Sequence, residues 1–379
     1  MRIRPGCQRI LSVAAGAGLL LAGLAGLASP AGAAAAAGPG VPTPGFDAQL
    51  TQVACTPTGQ CWAVGYYQRD KASPQYYKSE MYRWTGSQWT QVTVPEPPHQ
   101  DLLYSVSCPA ASYCLAVGSV SDQDVTRPEV LRWTGGNWKP VAVPAGLSDL
   151  YSISCVTRTD CEAIGAGGVT RWNGKTWGPV ASFSEFDALS SITCASASDC
   201  WIDGYYVKPS KLPLYNLVLH GSGSVWTQEK VPQPGAASQL DGIGCASASD
   251  CWAVGQDEQG TSDNYDNEAL HWNGTAWSLA AIPSPASAPG VSPDDQLFAV
   301  TCVTGDDCWT VGTGVGTTEA LHWNGTAWSV VSVPAPGGSG FLLGVTCQNR
   351  SDCFASGFSH VPPTQNLVLR WNGTTWSST

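Results

Sequence analysis

Apolar and polar residues alternate along this chain in short runs, and the runs come in repeating sets of four. The first run of a set ends on a cysteine, as in Leu102-Leu-Tyr-Ser-Val-Ser-Cys108. The second starts on a cysteine, as in Cys308-Trp-Thr-Val-Gly312. The third leads into a Trp-Asn-Gly turn, as in Ala320-Leu-His-Trp-Asn-Gly325. The fourth starts at the next tryptophan, as in Trp328-Ser-Val-Val-Ser-Val-Pro334. Alternation over so short a span, bounded by turn residues, is a strand signal. A polar turn such as Ala195-Ser-Ala-Ser-Asp199 separates the cysteines, and Asn-Gly at 173, 273, 324 and 372 suits a tight hairpin. Asn273, Asn324 and Asn372 also open Asn-Gly-Thr glycosylation sequons. The turn reading comes first, because Thr134-Gly fills the same slot in another set.

Seven such sets follow one another at a spacing of about 40–57 residues. Four short strands per repeat of that length predict an all-β fold, a seven-bladed β-propeller with four antiparallel strands per blade. Immunoglobulin-like modules run to about 100 residues, too long for this period. The last set stops at Trp376-Ser-Ser-Thr379, while a piece matching its missing tail, Val41-Pro-Thr-Pro44, stands near the other end. We therefore expect a propeller over 41–379, closed by pairing of the N-terminal segment with the C-terminal blade, which removes an exposed edge.

Every cysteine except Cys7 belongs to a pair with five residues between its members: Cys55/Cys61, Cys108/Cys114, Cys155/Cys161, Cys194/Cys200, Cys245/Cys251, Cys302/Cys308 and Cys347/Cys353. An even count in an exported chain points to one disulfide per blade. Zinc sites, the rival, favour closer cysteine spacing and a reducing compartment. A loop this short gives roughly 2–2.5 kcal/mol per bridge in the chain-entropy model.

Export itself is read from the start of the chain. Arg2, Arg4 and Arg9 precede an apolar stretch, and Ala31-Gly-Ala33 is a small-residue cleavage site. Residues 1–33 read as a signal peptide and 34–40 as a flexible lead-in. An uncleaved anchor is the alternative. No second long apolar stretch follows, so we expect a secreted, extracellular monomer with no membrane insertion after cleavage. Without residues 1–33, 15 Lys and Arg face 29 Asp and Glu, a net charge of −14. Such a surface repels phosphate backbones and argues against nucleic acid and anionic membranes as partners.

All 17 tryptophans fall in three slots of the repeat. Residues recurring in this way are read as packing between neighbouring blades. A basic residue precedes the hairpin slot in every set: Arg83, Arg132, Arg171, His220, His271, His322 and Arg370. Stacking on a neighbouring indole, or pairing with a turn carboxylate, accounts for it more simply than a metal ring. Glu162 breaks the pattern in a tryptophan slot, Asp203 in a valine slot, and Gly221 replaces a hairpin tryptophan.

Variable loops remain as the place for function. They carry Tyr66, Tyr67, Tyr76, Tyr77, Tyr205, Tyr206 and Tyr215 as candidate ligand-binding residues. Asp257, Glu258, Asp263, Asp266 and Glu268 offer oxygens for calcium, though not in EF-hand order. Otherwise no cofactor is expected. The sequence lacks Gly-x-Ser-x-Gly, His-Glu-x-x-His and a phosphate loop, and so offers no catalytic residues. A carboxylate pair for glycoside cleavage stays open, since folding sets its separation.

Cys251-Trp-Ala-Val-Gly255, followed by Leu270-His-Trp-Asn-Gly-Thr-Ala-Trp-Ser278, resembles a group of secreted repeat proteins common in actinobacteria and similar to kelch or galactose-oxidase-like propellers. The resemblance implies the fold and carries no defined chemistry; the copper ligands of galactose oxidase have no counterparts here. The expectation is a non-catalytic binding module for a glycan or a cell-surface protein. A carbohydrate-active hydrolase or lyase with its site over the channel, and a structural or adhesive surface protein, are the alternatives.

Overall fold

The computed structural model describes residues 40–379 apart from 72–75, 96, 98–99, 123–124, 144–145, 184–186, 209–210, 259–264, 286–293, 315–316 and 361. The proposed signal peptide therefore lies outside the described residues. Seven antiparallel sheets form a seven-bladed β-propeller. Their inner strands are Phe46–Cys55, Gln100–Ala110, Ser152–Thr157, Asp187–Ser196, Ala237–Ser247, Gln296–Thr304 and Gly340–Asn349, which define blades 1 to 7. Each blade continues outward in sequence order.

All seven expected disulfides form, one per blade: Cys55–Cys61, Cys108–Cys114, Cys155–Cys161, Cys194–Cys200, Cys245–Cys251, Cys302–Cys308 and Cys347–Cys353. Each joins the first strand of its blade to the second. The two ends of a bridge differ, which their even spacing does not show. The trailing cysteines Cys61, Cys114, Cys161, Cys200, Cys251, Cys308 and Cys353 are all buried. All but Cys200 belong to the hydrophobic clusters between blades, as Cys114 does beside Trp133 and Trp138. The leading cysteines, Cys108 apart, stay partly exposed, and Cys55, Cys108, Cys155, Cys245 and Cys302 line the channel. All fourteen paired cysteines are thus spent in disulfides, as expected.

Blade 3 departs from the expected four strands. Its sheet has three, Ser152–Thr157, Asp160–Gly165 and Gly168–Trp172. The outer strand is reduced to isolated bridges of Val169 with Ala181 and of Trp172 with Trp177. Pro179 lies between these bridges and has no N–H to give to a ladder.

The glycine of Cys-Trp-Ala-Val-Gly has a structural cause. In six blades the inner strand bulges at the residue after a buried or half-buried leucine, so that Thr51, Tyr104, Ser190, Asp241, Phe298 and Leu343 drop out of register. A bulge kinks its strand toward the partner. A Cβ on the facing glycine would lie 2.0 Å from Gln49 O at Gly65, 2.0 Å from Gln239 O at Gly255 and 1.8 Å from Gln296 O at Gly312. Only glycine fits under the bulge.

The recurrent tryptophans pack between blades. Trp252 of blade 5 meets Trp323 and Trp328 of blade 6 at 4.8 and 5.0 Å, and Trp309 of blade 6 meets Trp371 and Trp376 of blade 7 at 4.8 and 5.2 Å. Phe354 closes the ring onto Trp84 and Trp89 of blade 1 at 5.3 and 5.4 Å. The basic slot does both things expected of it. His220 stacks on Trp201 at 3.9 Å and bonds Asp199 at 2.9 Å. His271, His322 and Arg370 likewise reach Asp250, Asp307 and Asp352.

Inner strands meet in two ways around the channel. Ser105 and Ser107 of blade 2 accept from Ile153 N and Cys155 N, and Ser152 and Ser154 of blade 3 accept from Ile192 N and Cys194 N, at 3.0–3.3 Å. In blades 5 and 7 glycine replaces the hydroxyl and backbones close up: a Cβ on Gly242 would lie 2.7 Å from Ala299 Cα, and one on Gly344 2.9 Å from Gln52 Cα. A cavity of about 290 Å³ remains at the disulfide end of the channel, lined by uncharged residues of all seven inner strands.

Candidate binding face

Antiparallel order sorts the connections. The cysteine turns and hairpin turns share one face. The connections between second and third strands, and those between blades, share the other. On the first face the turns are uniform: each Asn-Gly asparagine accepts from the N–H groups two and three residues on, as Asn273 does from Thr275 and Ala276 at 3.0 Å. The variable face carries the candidate residues.

Its tyrosines form two groups. On blade 1 Tyr66 is buried and lies edge-on to Tyr77 at 5.5 Å. Tyr66 also meets Tyr104 of blade 2 at 6.2 Å, and Tyr104 meets Tyr151 of blade 3 at 6.2 Å. An aromatic line thus crosses three blades. Tyr104 sits at the inner-strand bulge, and Tyr151 follows Leu150 as Tyr104 follows Leu103. Neither is among the sequence candidates, although the repeated Leu-Tyr-Ser at 103–105 and 150–152 is a signal for both. Tyr76 and Tyr67 are half-buried beside this group, and Lys78 Nζ lies 5.5 Å from the Tyr76 ring. The second group is on blade 4, where Tyr206 stacks on Tyr215 at 5.2 Å and Lys208 caps Tyr215 at 4.0 Å, with Tyr205 half-buried alongside. Blades 1 and 4 are not neighbours in the ring, so the fold does not unite the two groups.

Carboxylates form a second buried set on the third strands, four residues before the hairpin tryptophan. Asn366 Nδ2 donates to Glu80 at 2.8 Å and Asn267 Nδ2 donates to Glu319 at 3.0 Å; Asn216 binds Glu268 in the same way. Each bond crosses between blades. Burial pushes Glu80, Glu129 and Glu319 up to about 8 and Glu268 to about 9.

Of the five calcium candidates, the four that are described lie on the second and third strands of blade 5. Asp257 and Asp266 are cross-strand partners, Glu258 pairs with Tyr265, and Glu268 is taken by Asn216. Asp263 lies outside the described residues. Among the described residues no three His, Cys, Asp or Glu side chains group as metal ligands.

The two irregular carboxylates are both buried. Glu162 Oε1 accepts from Gly223 N of blade 4 at 2.7 Å, where that blade has Gly221 in place of an indole. Burial raises Glu162 to about 7. Asp203 Oδ1 accepts from Ser191 N at 2.8 Å, beside the bulge of its own blade. Burial, then the charge of Asp241, holds Asp203 well above the usual carboxylate range.

No family model matches the chain, and no curated protein matches it in sequence. Solved structures do match in fold. The WD40 repeats of RRP9 align with a TM-score of 0.56 at 11% identity over 82% of this chain and 88% of that one. A GH74 xyloglucanase from Xanthomonas campestris aligns at 0.59 and 13% identity over 88% of this chain and 55% of the enzyme. The β-propeller domain of the Trilobed protease from Pyrococcus furiosus aligns at 0.56 and 8% identity over 88% and 98%. The chain is a β-propeller, distantly similar to WD40, protease and xyloglucanase propellers. At such identities the likeness is one of fold alone.

Proposed function

We propose that this chain is an exported, non-catalytic binding module that recognises a glycan through its variable face. The line Tyr77–Tyr66–Tyr104–Tyr151 carries the reading. Aromatic rings held by strands, with a polar oxygen at one end, stack on sugar faces at low entropic cost. The opposite face has only short, repeated turns. The motif likeness to secreted actinobacterial repeat proteins, and the basic-apolar start of the chain, support export. Among the described residues no helix is long and apolar enough to cross a membrane.

The test is an array of glycans and cell-wall polysaccharides probed with the oxidised protein. Saturable binding that Tyr104→Ala and Tyr151→Ala each abolish, with Tm retained, is the expected result. Binding untouched by both substitutions, or none to any glycan, overturns the reading and turns the search to surface proteins. A hydrolase or lyase has one observation in its favour: Asp241, half-buried at an inner-strand bulge, interacts with buried Asp203. Release of reducing ends that Asp203→Asn and Asp241→Asn both remove would establish it.

A further inference from the structure

One lysine is buried between blades 1 and 2. Lys78 lies on the third strand of blade 1, Asp101 on the first strand of blade 2 and Glu129 on its third, and all three side chains are buried. The position six residues before the hairpin tryptophan holds lysine in no other blade. An ammonium and a carboxylate taken out of water each lose several kcal/mol of hydration, so their placement here calls for a reason.

The groups are arranged for more than an ion pair. Lys78 Nζ lies 2.9 Å from Asp101 Oδ1, but that oxygen has no aligned hydrogen-bond donor. Nζ donates to Pro97 O at 2.6 Å. Ser79 N donates to the other carboxyl oxygen, Asp101 Oδ2, at 3.2 Å. One oxygen of Asp101 is thus held by a backbone amide, and the nitrogen of Lys78 stands beside the other. Glu129 feels the charges of both Asp101 and Lys78, and its Oε2 is buried with no hydrogen-bond partner. Burial raises Asp101, and burial with the Asp101 charge pushes Glu129 up to about 8, so protons are held where amine and carboxyl meet.

We propose that Lys78 Nζ and Asp101 Cγ join in an intramolecular amide, a covalent cross-link between blades 1 and 2, with Glu129 as the proton carrier. The Lys78 ammonium gives up one proton and the Asp101 carboxylate takes one up. The freed lone pair of Nζ attacks Cγ, and charge builds on Oδ2, where Ser79 N donates. The Nζ–Cγ bond forms and the Cγ–Oδ1 bond breaks. Oδ1 leaves as water with a second proton from Nζ, and Glu129 relays both protons. The two buried charges vanish together, which removes their desolvation cost. Folding holds the reacting groups in contact, so the step is unimolecular, and the dry interface shields the amide from hydrolysis. The cross-link stands or falls independently of the glycan reading.

Mass spectrometry of the full, reduced protein tests it. The expected mass is one water below that of the sequence, counted from the N-terminus found in the same sample. A tryptic digest should join the stretch 72–83, uncut at Lys78, to the stretch carrying Asp101. Lys78→Arg keeps a cation and should restore the full mass. Glu129→Gln should slow cross-linking by about a hundredfold, so that freshly purified variant also carries the full mass. A full mass in the parent protein overturns the proposal and leaves an ordinary ion pair. So does a water loss that persists in Lys78→Arg or maps to another pair of residues. Undiminished cross-linking in Glu129→Gln overturns the part given to Glu129. The mass and digest of the parent decide the cross-link even where a variant does not fold.

Discussion

Asn366 Nδ2 donates to Glu80 Oε2 at 2.8 Å, joining the last blade to the first. The same amide donates to Pro42 O at 3.1 Å, and Tyr82 Oη lies 2.7 Å from Pro42 O and 2.8 Å from Glu80 Oε2, with one proton to donate to either. Asn216 and Asn267 make matching bonds to Pro232 O and Pro283 O inside the chain's own run. Pro42 thus occupies at the seam the place that a downstream proline occupies elsewhere. Asn366→Leu should strip Glu80 of a buried donor and cost about 1–3 kcal/mol. Leucine already stands in the glutamate slot as Leu217 and Leu367. Adding Glu80→Leu to Asn366→Leu should therefore recover part of the loss, as urea unfolding of the cycle would read. Simple additivity of the two losses would refute the coupling.

The third-strand glutamates make stability depend on pH. Their folded values, about 8 for Glu80, Glu129 and Glu319 and about 9 for Glu268, lie above the unfolded value of 4.5. Between those limits the folded chain holds more protons than the unfolded one, so stability falls as pH rises. The midpoint should be highest near pH 5 and decline through pH 8 to 9. Glu268→Gln should flatten that decline, because an amide cannot ionise. A midpoint that climbs from pH 5 to 8 contradicts the assignment.

The bulge glycines can be separated from ordinary glycines. Gly255→Ala forces a Cβ to within 2.0 Å of Gln239 O, so bulge and ladder must shift together. Gly136 has a permitted φ and nothing within 4 Å of its Cβ position. Gly255→Ala should cost about 2 kcal/mol or more through backbone strain, and Gly136→Ala should fall within about 0.5 kcal/mol of the parent. Equal denaturation midpoints for the two variants would remove the bulge as the reason for the motif.

What the sequence made legible follows the reach of each contact. The cysteine pairs, the Asn-Gly hairpins and the four-strand unit are local, so spacing alone exposes them. Spacing does not tell which sulfur of a pair is buried: Cys61 and Cys353 enter the core while Cys55 and Cys347 keep an exposed edge, because the second strand lies deeper in the blade than the channel-lining first. The tryptophan slots are legible as packing because a ring of like blades gives them like neighbours. Blade 3 loses its outer strand around Gly178-Pro179, whereas Lys139-Pro140 at the same slot of blade 2 still pairs, a difference that a search for the repeat passes over. Tyr104 and Tyr151 hide because strand position and ring contact are needed together to see them as one line. The Asn–Glu bonds are harder still: Asn267 and Glu319 are 52 residues apart and meet only once consecutive blades are stacked.

Glu162 and Gly221 read in sequence as two separate irregularities, and the fold makes them one. Elsewhere a second-strand tryptophan inserts among the indoles of the next blade, as Trp201 does with Trp272 and Trp277 at 4.9 and 5.4 Å. Blade 4 offers no hairpin indole to blade 3, and a Cβ on Gly221 would lie 2.1 Å from Val225 O. Glu162 fills the space with an acceptor for Gly223 N instead. Restoring the repeat with Glu162→Trp should therefore destabilise, since one of the two indoles it would pack against is missing and Gly223 N loses its acceptor, a cost of about 1–3 kcal/mol. Glu162→Gln keeps an oxygen for Gly223 and should cost under about 1 kcal/mol. Thermal midpoints ordered parent, Glu162→Gln, Glu162→Trp are the expected outcome. A Glu162→Trp variant more stable than the parent would mean that blade 3 accepts the common aromatic packing after all.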